Sequence, residues 1–221
     1  INVEERPTGE ISLAAGIGTA GGTIGGGIKE KNFLGKGVSL NANFDITEDS
    51  VKGRFVYAKP NFRYSDNTLF TSFESSTTDL LTDSGYKSSG IGFSLATQFE
   101  QYQDLFLKPE LNFQIEDLET SSKASNILKK QEGSYTDLYF NYSITQDLRD
   151  KKFRTEDGYK TTFAQELPVI AENSEISNAF EISKFKKLST RSDMLGKISF
   201  YGKAINALED DVRVSKRLHI P

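Results

Sequence analysis

The sequence predicts an all-β chain: an antiparallel, up-and-down transmembrane β-barrel, present as an incomplete portion of about eleven strands. Three observations predict it. Apolar and polar residues alternate with a period of two through most of the chain, the signature of strands with one apolar face. Many of these segments are long enough, at roughly 9–11 residues, to cross a bilayer at a tilt. Composition agrees: hydrophobic residues are only 36% and mean hydropathy is −0.47, yet there are 16 Phe and 9 Tyr. A barrel with a polar lumen face halves its apparent hydrophobicity in this way. No apolar run approaches the roughly 18 residues of a spanning helix.

In order along the chain, residues 1–9 form a connector in which Pro7 lacks a ladder donor. The first strand places Ile11, Leu13, Ala15 and Ile17 on one face and Ser12, Ala14, Gly16 and Gly18 on the other. Thr19–Gly22 turns into a second strand with Ile24, Gly26 and Ile28 opposite Thr23, Gly25, Gly27 and Lys29. Glycine packs nothing and weakens a strand, so the sheet opens on its weakest pair. Gly16 to Gly21 also matches G-x-G-x-x-G, but a dinucleotide site needs a helix among those glycines. Gly22 and Gly25–Gly27 follow, each costing a helix about 1 kcal/mol, and the hairpin reading prevails.

Asn32–Gly37 is a tight turn. The third strand alternates Val38, Leu40, Ala42, Phe44 and Ile46 with polar residues, and the fourth carries Val51, Gly53, Phe55 and Tyr57 down to Pro60. Leu69, Thr71 and Phe73 mark a fifth strand, expected to dissolve into a polar loop at 75–88. Further strands follow at 91–99, 105–116 and 137–144, then at about 159–168, 175–186 and 194–205, with a polar loop at 117–134. No helix is predicted. Longer loops (75–88, 117–134, 169–175) are expected at one end and shorter turns (30–37, 65–67, 100–104, 187–193) at the other, with 145–158 as an exception. Phe33, Tyr57, Phe62, Tyr64, Phe99 and Tyr102 lie towards strand ends, where interfacial girdles form. A soluble β-sandwich is the competing architecture.

Nothing points to catalysis, and no catalytic, cofactor or metal site is expected. The single histidine, His219, sits in a basic tail from Arg213 to Pro221, and there are no cysteines. Glu110, Glu116, Asp45 and Asp137 read as solvated lumenal charges, and Asp147, Arg149 and Asp150 as an ion-paired turn. Asn141–Ser143 matches a glycosylation sequon but lies mid-strand. A net charge of −4 gives no case for nucleic acid.

Two stretches carry a family resemblance. Val3-Glu4-Glu5-Arg6-Pro7-Thr8-Gly9-Glu10, running into the glycine-rich strand and Asn32–Gly37, resembles the start of the barrel in the BamA family of the bacterial surface antigen superfamily. Asp147-Leu148-Arg149-Asp150 through Gly158-Tyr159 is similar to that superfamily's D-x-R-D-x-x-F-x-P-T-x-G periplasmic turn, with Arg154 at the proline and one residue more before Gly158. The resemblance implies that 1–9 leads from a missing periplasmic POTRA domain. It implies that 10–221 is a partial barrel ending where a long extracellular loop begins. It further implies a bacterial outer-membrane protein that assembles client β-barrel proteins, with membrane lipid and periplasmic accessory lipoproteins as partners.

A free sheet edge templates incoming strands. Glu10, Ile11, Ser12, Leu13, Ala14, Ala15, Gly16, Ile17 and Gly18 are therefore the expected client-pairing residues of a lateral gate. Against this stands a structural role, in which the glycines let the wall bend or a neighbour pack closely. A two-partner secretion or translocation-assembly pore of the same superfamily, or a passive porin-like channel, are the alternative functions.

Overall fold

The computed structural model describes residues 8–18, 21–172, 174–189, 193–209 and 211–218. Eleven strands form one antiparallel sheet in strictly sequential order: β1 Gly9–Gly18, β2 Gly21–Phe33, β3 Val38–Thr47, β4 Ser50–Lys59, β5 Thr68–Leu80, β6 Tyr86–Tyr102, β7 Leu105–Thr120, β8 Gly133–Asp147, β9 Asp157–Ile170, β10 Glu175–Lys187 and β11 Leu195–Ala207. The sheet is not closed, and β1 and β11 are its edges. There is no second sheet among the described residues, which disposes of the sandwich. Of the expected connector, residues 1–7 lie outside the described residues, as do Thr19 and Ala20 of the first turn and His219 to Pro221 of the tail.

The sheet is inside-out by the standard of a water-soluble domain. One register line of its apolar face runs Ile11–Ile28–Ala42–Phe55–Phe73–Phe93–Phe113–Leu138, each residue the direct cross-strand partner of the next. The four phenylalanines are 41–48% exposed. A water-soluble sheet would hide such a row, whereas a bilayer solvates it. The opposite face carries the polar alternates, among them Arg54, Glu74, Glu110 and Asn112, which border a cavity of about 580 Å³. Outer and inner faces are thus lipid and lumen.

Two expected boundaries move. The loop expected at 75–88 is mostly strand: β5 continues to Leu80 and β6 starts at Tyr86, leaving 81–85 as the turn. Outward-facing Ser75 and Thr77 broke the apolar alternation, while the backbone ladder continues through Ser75↔Ile91 and Thr77↔Ser89. The 117–134 loop shrinks to 121–132. It contains one helical turn, α1 Asn126–Lys129, where Leu128 N donates to the Ser125 side chain at 3.3 Å. That turn is the helix the sequence reading lacked.

The predicted sorting of loops by length fails. At the upper end, where β7 meets β8, the connections include 48–49, 81–85, 121–132 and 171–174; at the lower end they are 34–37, 60–67, 103–104, 148–156 and 188–194. Strand extension absorbed the long polar segments at the upper end. The six aromatics expected in girdles do segregate, all of them towards the lower end on β2, β4, β6 and the 60–67 connection.

Candidate functional site

β1 has one neighbour. It pairs with β2 from Gly9↔Glu30 to Gly18↔Gly21, and its other edge faces no strand among the described residues. All nine sequence-predicted residues, Glu10 to Gly18, lie on it. Ile11, Leu13 and Ile17 point outward at 79–96% exposure. Of the ten register pairs, seven contain a glycine, leaving Glu10↔Lys29, Ile11↔Ile28 and Ala15↔Ile24. In the β3–β4 pair only one of eight does, Phe44↔Gly53. At about 0.2–1 kcal/mol per ordinary pair, side chains contribute roughly 1–3 kcal/mol to the first seam.

The glycines of this seam are of two kinds. A Cβ on Gly26 would lie 2.8 Å from a Phe44 ring carbon and 2.9 Å from Leu13 Cδ2, and one on Gly25 would lie 2.8 Å from Asp45 Oδ1. Those two make room for neighbours, the structural role weighed from sequence. A Cβ on Gly16 would meet nothing within 4 Å, so packing does not account for glycine there.

The second feature was not visible in the sequence. The 211–218 segment turns back onto the lumenal face at the upper end, where Arg213 is completely buried. Its Nη1 donates to Glu116 and Asp137, both at 2.8 Å, and Nη2 donates to Asp137 at 3.3 Å and to the Glu172 carbonyl at 2.9 Å. The guanidinium lies 3.7 Å from the Tyr135 ring centroid. Burial alone would lower the Arg213 pKa, but Asp137 and Glu116 outweigh it and hold the value above the ordinary one.

Around it, Val214 N donates to Gln131 Oε1 at 2.9 Å, and Val214 packs with Tyr86, Leu118 and Tyr135. Lys216 donates to Gln114 at 2.6 Å. The expectation that Glu116 and Asp137 are solvated is therefore wrong: they are 8% and 1% exposed and serve as counter-charges. Arg213 sits 76 and 97 residues from these partners in a stretch with no periodicity, so only the topology brings them together.

The ion-paired turn forms as expected. Arg149 holds both oxygens of Asp147 at 2.7 Å. Asp150 Oδ1 accepts from the backbone N–H groups of Glu156 and Asp157 at 3.0 and 3.1 Å. The Asp157 N–H leads the effects that hold the Asp150 carboxyl below its usual range, and Lys187 followed by Lys151 does the same for Glu156. Gly158 has φ 107°, and a Cβ there would lie 2.2 Å from the Leu148 carbonyl oxygen. Only glycine fits.

A single up-and-down sheet with a lipid face, a polar lumen face and a terminal segment pinned inside defines an outer-membrane-type barrel wall. Residues 32–214 match the Omp85 superfamily domain, and the chain belongs to that superfamily. The matched range begins after most of the first hairpin. Among solved structures, the chain is similar to BamA from Haemophilus ducreyi lacking POTRA domains 1–3, with a TM-score of 0.78 at 17% identity. That likeness covers 96% of this chain and 44% of the other, so the chain spans less than half of its structural relative. No curated relative matches it by sequence.

Proposed function

We propose that this chain is the first part of the barrel of a bacterial outer-membrane assembly factor, with β1 as a lateral gate that templates client strands by β-augmentation. One observation carries the reading: β1 is held to its neighbour by a seam in which seven of ten pairs contain glycine. Gly16 on β1 and Gly22 on β2 both have open space around them, so packing does not account for glycine at either place in this seam. In this reading the upper end faces outward and the lower end faces the periplasm. Residues 1–9 connect to a periplasmic domain, and accessory lipoproteins act from that side.

Client engagement requires only backbone groups, so β-barrel proteins of differing sequence share one edge. The test is crosslinking in the full-length protein, with cysteines at Ile11, Leu13 and Ala15 and a client stalled during insertion. Adducts at these positions, and none with cysteine on mid-wall residues such as Phe93, support the gate. An active protein that forms no β1 adducts refutes it. The anchored 211–218 segment at the upper end favours this reading over a passive channel. Single-channel conductance of the full-length protein separates it from a passive porin-like channel.

A further inference from the structure

At the lower mouth of the lumen, the inner faces of β6–β9 and the 148–156 turn enclose a cavity of about 250 Å³. Three ammonium groups line it: Lys108 from β7, Lys152 from the turn and Lys160 from β9. Its one carboxylate, Asp147, is directly across from Lys160 in register, but both of its oxygens are already held by Arg149. Lys108 is offset by Glu110 at 3.1 Å. Lys152 lies 5.9 Å from the Phe106 ring centroid, and neither it nor Lys160 has a carboxylate in direct contact among the described residues. Among the lining residues three cations face one carboxylate, a positive surplus in a recess lined by low-dielectric wall, where such charge is focused.

We propose that this recess is a binding site for an acidic polypeptide segment, taking two of its carboxylates on Lys108, Lys152 and Lys160. Lys108 and Lys160 lie two strands and four register positions apart, roughly 16 Å at the backbone, a spread suited to two carboxylates of one extended segment rather than to a single small ion. The rest of the lining suits a peptide: Ser143 and Thr145 hydroxyls and the Gln98 amide for backbone groups, and Phe106 for an apolar side chain. The site faces water in the lumen rather than lipid, which sets it apart from a headgroup site. It stands on the charges of this wall and not on the β1 edge, so it goes beyond the function proposed above.

The test uses the full-length protein in phosphatidylcholine nanodiscs. The probe is a dansyl-labelled Ser/Gly peptide carrying two glutamates at i and i+2, read by fluorescence anisotropy, with its glutamine counterpart as control. The expected result is binding of the acidic peptide that weakens with salt and is about tenfold or more tighter than that of the glutamine peptide. K152Q/K160Q loses that difference, and K152R/K160R, which keeps the charge, retains it. K152Q alone, in an exposed turn, reports the same loss in part if the double variant folds poorly. Equal affinity for the two peptides, or indifference to K152Q/K160Q, overturns the proposal. So does displacement by inorganic phosphate as effective as by unlabelled peptide, which would make this a small-ion site.

Discussion

Removing the Arg213 side chain tests the lumenal anchor. In Arg213→Met the aliphatic bulk is largely kept, but Glu116 and Asp137 are left facing each other without their shared cation. Breaking a buried ion pair from one side costs about 3–5 kcal/mol. An independent bound agrees: protonating one carboxyl of ordinary pKa at pH 7 costs about 4 kcal/mol, so the protein escapes a larger penalty by neutralising one group. The sign with pH follows. In the variant a proton taken up by the carboxylate pair neutralises one buried charge, so the folded state binds more protons than the unfolded one and stability recovers as pH falls. The deficit relative to the parent should narrow by up to about 1.4 kcal/mol per pH unit for one such group as pH falls from 7 to 5.

The assay is urea unfolding of the full-length protein in nanodiscs, followed by intrinsic fluorescence at several pH values. R213M combined with E116Q and D137N should regain most of the loss, because neither of the two carboxylates that Arg213 holds then remains charged. A parental unfolding midpoint for R213M at pH 7, or a deficit that does not change between pH 7 and 5, refutes the reasoning.

Other outcomes follow from the wall and its turns. Gly158→Ala should destabilise by about 1–3 kcal/mol through backbone conformation alone, with the Leu148 carbonyl contact adding to it; the heat-modifiable migration of the full-length protein checks this. Gly16→Val, placed in open space, should strengthen the β1–β2 seam by about 0.2–1 kcal/mol and slow client insertion. Unchanged insertion, with slower amide exchange in β1 confirming the stronger seam, would separate seam strength from gating. Gly26→Val forces its branches against Phe44 and Leu13 and should accelerate amide exchange across β1–β2. The Asp150 and Glu156 carboxyls have lowered folded pKa values, so their contribution is present above the ordinary carboxyl range, near pH 4, and is lost as pH falls through the lower folded values. Amide exchange in the 148–156 turn should accelerate there, and D150N should remove most of that acid sensitivity.

The parts of this molecule that lipid selects were legible, since a bilayer on one side and water on the other imprint a period of two. Phe55, Phe73, Phe93 and Phe113 could be assigned to one face from their own strands, though not to one register line, which depends on turn lengths. Above the apolar band that imprint ends. There Ser75 and Thr77 read as loop while their backbone stayed in the ladder, and the expected difference between the two ends went with them. The Asp147–Arg149 turn was readable because its partners are two residues apart. Arg213 was not, since its meaning lies in Glu116 and Asp137 on distant strands. Gly16 and Gly26 looked alike in sequence and differ in what surrounds them.

The line of paired residues from Ile11 to Leu138 runs along the hydrogen-bonding direction, which is not level in a membrane. With strands tilted about 40° and spaced about 4.8 Å apart, it climbs about 3 Å per strand. From β1 to β8 that is roughly 20 Å, most of an apolar band about 25 Å tall. The row is therefore a screw thread rather than a hoop: Ile11 lies near the lower end of β1, and Leu138 is in the upper half of β8. Each phenylalanine meets lipid at its own depth. The pitch of that thread couples the height of the weakest strand to the strand that supplies Asp137 to the anchor.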